Sequence, residues 1–195
     1  MKGLLRGLLA LVLVALTISV GSGTRAQQPT AISPNAQAAL VLRVLGYDRG
    51  LRARTPSGNV NVLTVFKTGD SASQGSCMAL ARAINQLGRA VLVGGMRTHA
   101  TPVGFTTADA LGQAAQGAQA IYVCGGLDAS IAAISSTARR RALLSITARE
   151  ADVRSGLSVA IVPGAQLRIV VNVTAATAEG ARLDAALLRI ATVVR

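Results

Sequence analysis

Short apolar, β-branched runs alternate with stretches of helical period along most of this chain, and that alternation limits the fold it can adopt. The runs fall at residues 59–66, 90–94, 118–124 and 142–147, and the helical stretches between them at 77–87, 106–115 and 127–140. Met78, Leu80, Ala81 and Ile84 are expected to face inward from the first of these helices. Strands buried on both faces and joined by helices form a parallel sheet with right-handed crossovers. A helix over residues 36–47 precedes them, opened by Ser33-Pro34-Asn35 and ending near Gly46 or Gly50, with Ala39, Leu40, Leu42, Val44 and Leu45 largely buried. Toward the end, residues 157–162 and 167–173 flank Pro163-Gly164-Ala165-Gln166, which reads as an antiparallel hairpin at the sheet edge. Leu183, Ala186, Leu187, Ile190 and Val193 then recur at the spacing of a terminal helix. The expected fold is an α/β three-layer sandwich, forming one domain over residues 35–195: a mostly parallel sheet, a C-terminal antiparallel edge hairpin and a terminal helix.

Residues 1–26 carry the features of a secretory signal peptide. Lys2 and Arg6 form a cationic start, residues 8–20 an apolar core, and Thr24-Arg25-Ala26 a small-residue cleavage site. The apolar run is shorter than the roughly 20 residues that span a bilayer, and no stop-transfer cluster follows it. Cleavage would leave a short polar lead, 27–34, with no stable membrane insertion of the mature chain. The expected compartment is the periplasm.

In that compartment Cys77 and Cys124, the only cysteines, are expected to form an intramolecular disulfide; two separate buried thiols are the alternative. The formal charge is +12, of which Lys2, Arg6 and Arg25 would leave with the signal segment. Such a surface attracts acidic partners or anionic membrane surfaces. Nucleic acid is a poor fit: Tyr47, Phe66, Phe105 and Tyr122 are the only aromatics, and none is interleaved with a basic run to stack bases.

In an open α/β sheet, ligands bind beyond the carboxyl ends of the strands. Those ends are expected at Thr68-Gly69-Asp70-Ser71, Gly94-Gly95-Met96-Arg97 and Cys124-Gly125-Gly126. A disulfide there would staple the binding edge. Gly69, Ser71, Ser73, Gly125 and Gly126 are the candidate contacts for a small anionic or polar ligand. The stretch 69–76 lacks both the Gly-Lys-Ser/Thr of a P-loop and a G-x-G-x-x-G fingerprint, and a plain helix entry capped by Ser73 or Ser76 is the simpler account of it. His99, in an expected loop, has no His, Cys or Glu at metal-ligand spacing. No catalytic residue, metal or cofactor is indicated. Arg139-Arg140-Arg141 closes a helix, where cations suit the dipole, and Asp48 and Arg49 are expected to pair and fix the turn after the first helix.

Several stretches resemble the YfiR/HmsC-like family of periplasmic regulators: residues 42–51 (LRVLGYDRGL), the strand Ala120-Ile121-Tyr122-Val123, Ile169-Val170-Val171-Asn172-Val173, Ala178-Glu179-Gly180-Ala181, and Leu187-Leu188-Arg189-Ile190-Ala191. The resemblance implies a compact, non-enzymatic α/β domain that binds and inhibits the periplasmic domain of an inner-membrane diguanylate cyclase, lowering cyclic di-GMP and biofilm formation. It also implies a homodimer. Partner contacts would come from helix one and its end, through Leu42, Tyr47, Arg49 and Leu51, and from the exposed surface of the final hairpin and helix. Relatives carry more cysteines, so a bond between Cys77 and Cys124 would be structural rather than a redox switch. A periplasmic small-ligand module using the Gly-rich strand ends is the alternative.

Overall fold

The computed structural model describes residues 32–194, so the signal segment and residues 27–31 of the polar lead lie outside the described residues. The elements run α1 (Pro34–Gly46), β1 (Asn59–Lys67), α2 (Ser71–Leu87), β2 (Arg97–Phe105), α3 (Ala108–Ala114), β3 (Ala120–Val123), α4 (Ile131–Arg141), β4 (Leu144–Thr147), α5 (Glu150–Arg154), β5 (Val159–Val162), β6 (Arg168–Asn172), α6 (Val173–Ala178), α7 (Ala185–Ile190) and β7 (Thr192–Val194). They build a seven-stranded sheet of order β2-β1-β3-β4-β5-β6-β7. All pairs are parallel except β5–β6.

Alternation along the strands sorts side chains to two cores. Val60, Val62, Tyr122, Leu144, Ile146, Val159 and Ile161 pack with α1 and α2, whereas Leu63, Val65, Ile121 and Val123 pack with α3 and α4. The result is the three-layer sandwich expected from the alternation of apolar runs.

Several local expectations shift. Residues 90–94 form no strand; they lie in a loop closed by a short bridge between Val93 and Met96, and the second strand is 97–105 instead. Gly94-Gly95-Met96-Arg97 is therefore not a carboxyl end, and His99 is on a strand rather than in a loop. β2 is an edge strand, covered along part of its length. The Asn85 amide pairs with it like a strand residue, donating to the Ala100 carbonyl at 2.9 Å and accepting from the Ala100 N–H at 2.8 Å. Pro102, which has no N–H to give, is tolerated there. Gly88 must be glycine, because a Cβ would collide with the Thr98 carbonyl.

α2 begins at Ser71, inside the Gly/Ser stretch, and its cap is Asp70 rather than Ser73 or Ser76: the carboxylate accepts from the Ser73 N–H at 3.0 Å. Met78 is 37% exposed, contrary to its expected inward position. The terminal helix is broken into α6 and α7, since Gly180 at φ +74° ends α6 with the Ala181 N–H bonded back to Ala176. The last residues then form β7 beside β6, so the hairpin lies one strand in from the edge.

Asp48 ties the start of the fold to its end. Its Oδ1 accepts from the Gly50 N–H at 2.8 Å and the Arg182 N–H at 2.9 Å, and its Oδ2 pairs with Arg54. Arg54 in turn donates to the carbonyls of Gln119 and Ala142, just before β3 and β4. Arg49 pairs with Asp184 at 2.6 Å. The two residues fix the turn as expected, though each with a distant partner and not with one another.

Removing the Asp48 carboxylate would leave the Arg54 charge and two N–H groups without their acceptor. Asp48→Ala is expected to lower unfolding free energy by about 3–5 kcal/mol in urea titration. A loss under about 1 kcal/mol, as for a surface pair, would contradict this role.

Candidate functional site

Two surfaces collect the residues that sequence reasoning singled out. The first is the carboxyl edge of the sheet between β1 and β3, where the strand order reverses and where ligands settle in folds of this type. Gly69, Ser71 and Ser73 arrive there after β1, and Gly125 and Gly126 after β3. Ser73 stitches the two: its hydroxyl accepts from the Lys67 N–H at 3.0 Å and donates to the Gly125 carbonyl at 2.7 Å. Cys77 and Cys124 are joined in a disulfide across the same edge, with 6.0 Å between their Cα atoms. Gly126, at φ +87°, lies against Asp70, whose Oδ2 a Cβ would meet at 3.1 Å.

These groups largely satisfy one another. Ser73 is buried and its hydroxyl engaged, while the Asp70 carboxylate already supplies the negative charge that the α2 N-terminus favours. A cavity of about 210 Å³ lies beside the disulfide, between β3, β4 and α1, lined by Gln37, Leu80, Tyr122, Gly125, Thr147 and Arg149 among others. Of the five candidate ligand contacts, Gly125 lines it. The Tyr122 hydroxyl accepts from the Gln37 amide, and burial, with the charge of Asp152 added, pushes its pKa well above the usual tyrosine range. Arg149 is drawn to Asp128 and Asp152, and its guanidinium holds the Asp128 carboxyl below the usual carboxylate range.

Buried carboxyl groups escaped the sequence reading, Asp152 and Glu179 among them. Glu179, 0% exposed, accepts from the Ser145 N–H at 2.8 Å, the Ser145 hydroxyl at 2.6 Å and the Ser158 hydroxyl. It fastens the end of α6 beneath β4 and the chain leading into β5. Burial raises its pKa above the ordinary 4.5, outweighing the hydrogen bonds that lower it. No spacing rule foretells this cluster, whose members come from three separate segments.

The second surface surrounds α1. Leu42 and Leu51 are core residues, 3% and 2% exposed, so of the four proposed partner contacts Tyr47 and Arg49 reach the surface. Between α1 and the end of the chain runs a mostly apolar groove of about 250 Å³, lined by Leu40, Arg43, Val44, Tyr47, Leu167, Ile169 and Ile190. Leu167 is 44% and Ile190 62% exposed. Arg43 is exposed and takes part in none of the ion pairs among the described residues. Asp48 and Asp184 position this groove by binding the Arg182–Asp184 segment to the end of α1, the Asp184 N–H donating to the Tyr47 carbonyl at 2.8 Å.

Fold and surfaces together define an α/β sandwich with a flavodoxin-like strand order at its core, extended by an antiparallel strand pair and offering an apolar groove beside its first helix. Residues 88–192, just over half of the chain, match the YfiR/HmsC-like family model, and the chain belongs to that family. Membership points to a regulatory protein of the periplasm; α1, β1 and α2 precede the matched residues. No curated protein matches the chain.

Among solved structures, similar folds occur in the ABC domain in complex with L-Trp from Streptococcus pneumonia (10% identity, TM-score 0.56, 77% of this chain and 60% of that one). A conserved domain protein from Vibrio cholerae is also similar (15% identity, TM-score 0.56, 83% and 60%). A third is CD0873, a substrate binding protein with adhesive properties from Clostridium difficile (14% identity, TM-score 0.52, 74% and 57%). The chain thus spans 57–60% of the length of those neighbours, and the likeness is one of fold.

Two outcomes follow from the buried chemistry. Replacing both Cys77 and Cys124 by Ser is expected to lower unfolding free energy by about 2–5 kcal/mol in urea titration; a midpoint unchanged from the oxidised wild type would contradict a structural bond. Because the native pKa of Glu179 is raised, its contribution is fully present below the ordinary 4.5 and is lost as pH rises through the native value. Glu179→Gln should therefore flatten the decline in stability as pH rises above the ordinary 4.5. Equal pH slopes for variant and wild type would contradict the raised value.

Proposed function

We propose that this protein is a non-enzymatic periplasmic regulator that binds the periplasmic domain of an inner-membrane diguanylate cyclase and holds it inactive, lowering cyclic di-GMP and biofilm formation. Family membership and the signal-like residues 1–26 support the compartment and the regulatory role. No helix of the described residues is long and apolar enough to cross a membrane, so a bound partner would carry the signal across the bilayer. The observation that carries the partner-binding reading is the groove beside α1. Its exposed Leu167 and Ile190 flank Arg43 and Tyr47, and Arg and Tyr are among the residue types enriched at the energetic centres of interfaces. Inhibition would be a population shift: the regulator binds the inactive state of the cyclase more tightly and moves the equilibrium by that difference in affinity alone.

A second reading, a small-ligand module, is favoured by the cavity of about 210 Å³ at the disulfide edge. Its Tyr122, Thr147 and Arg149 are already engaged within the fold, so it ranks below the groove.

Intracellular cyclic di-GMP in a deletion strain tests the proposal. The level is expected to rise on deletion, to return with the wild-type gene and to stay high with Ile190→Asp, an exposed change expected to weaken partner binding about ten-fold or more while the protein stays folded. An unchanged level on deletion, under ordinary and biofilm-inducing growth, would contradict the regulator reading.

A further inference from the structure

Between α2 and β2 the chain runs Gly88-Arg89-Ala90-Val91-Leu92-Val93-Gly94-Gly95-Met96-Arg97 and carries its apolar residues in two ways. Val93 and Met96 turn inward and are buried, while Val91 and Leu92 project, 48% and 55% exposed. The turn is locked from within by reciprocal hydrogen bonds between Val93 and Met96 at 2.9 and 3.0 Å, with Gly94 and Gly95 at positive φ. Exposure of Val91 and Leu92 is therefore a property of a built turn.

Cations surround that tip. Arg89 and Arg97 bracket it in sequence and, with His99, line one cleft at the start of β1 and β2. Arg52 reaches to within 3.8 Å of where a Cβ on Gly95 would stand, and Arg82 lies on α2. Each of these arginines is exposed and takes part in none of the ion pairs among the described residues. From residue 71 to residue 108 there is no Asp or Glu at all. An apolar tip beside exposed arginines, on a stretch of chain without acidic residues, matches a surface that is anionic outside and apolar just beneath.

The geometry points to a docking site for an anionic phospholipid bilayer, with Val91 and Leu92 entering the headgroup boundary and Arg52, Arg89 and Arg97 meeting lipid phosphates. It stands on observations separate from the groove described above. Arg43 and Tyr47 line both that groove and the cleft behind Val91 and Leu92, so a docked molecule would hold its groove close to the membrane surface. Attachment through one short loop is weak and reversible, each arginine near the surface raising partitioning about five-fold.

Flotation of the chain from Gln27 onward, which contains all the described fold, with vesicles of phosphatidylcholine alone or with 30% phosphatidylglycerol tests this. Binding is expected on the anionic vesicles, at least about ten-fold above the neutral ones, falling as salt is raised. Leu92→Asp and the double change Arg89→Glu, Arg97→Glu should each reduce it about ten-fold or more with thermal unfolding unchanged. Equal binding to both vesicle types, or full binding by both variants, would overturn the proposal. So would a wild type that ignores vesicles while Leu92→Asp loses affinity for a protein partner, which would assign the tip to a protein contact.

Discussion

One buried carboxylate organises the molecule. Asp48 stands at the end of α1 with its side chain removed from solvent, and it accepts from the turn that follows, from Arg54 and from the backbone of Arg182. A buried charge is tolerated only when paired and hydrogen-bonded, and here its partners come from the turn just after α1 and from the segment between α6 and α7 near the end of the fold. Through Arg54 the same charge reaches the carbonyls before β3 and β4. Anchoring Arg182 brings the segment between α6 and α7 onto α1, and that contact creates the groove lined by Tyr47 and Ile190. The candidate partner surface is thus a consequence of how the chain ends are joined.

At the opposite edge of the sheet the chemistry is turned inward. Ser73, Asp70 and the disulfide hold β1, α2 and β3 together where related folds commonly bind small molecules. The functional weight accordingly moves to surface shape and charge. A regulator acts by differential affinity for two states of its target, and in the proposed function the apolar groove, with the exposed Arg43 in it, would supply the means.

Much of the architecture was legible because the alternation of runs reports burial directly. β1, β3, β4 and the β5–β6 pair were readable as apolar runs, and α1 and α4 as periodic ones. The second strand was misplaced for a physical reason. Residues 90–94 are apolar but occupy a turn, whereas Arg97–Phe105 looks polar because an edge strand has one neighbour and leaves Arg97 and His99 in solvent. The first turn of α2 hid in Ser and Gly, whose low helix propensity was overridden by the Asp70 cap and by packing. The break between α6 and α7 was signalled by Gly180, which an otherwise helical pattern disguised. Of the candidate sites, the disulfide was legible from two cysteines in a chain that reads as exported, and the gathering of Gly69, Ser73 and Gly126 on one edge from their places just after apolar runs. The Asp48–Arg54–Arg182 and Glu179–Ser145–Ser158 clusters did not, because long-range polar pairing leaves no periodic trace.

In the proposed function, the face formed by α1 and the chain end meets the periplasmic domain of a diguanylate cyclase. Photo-crosslinking in living cells tests it most directly, with a benzophenone amino acid at position 43 or 190 and, as control, at position 140 on the opposite face of the sheet. Capture of a membrane-bound diguanylate cyclase from positions 43 and 190, and not from 140, is the predicted result. Crosslinks to that cyclase from position 140 alone, or to no such enzyme from any position, would contradict it.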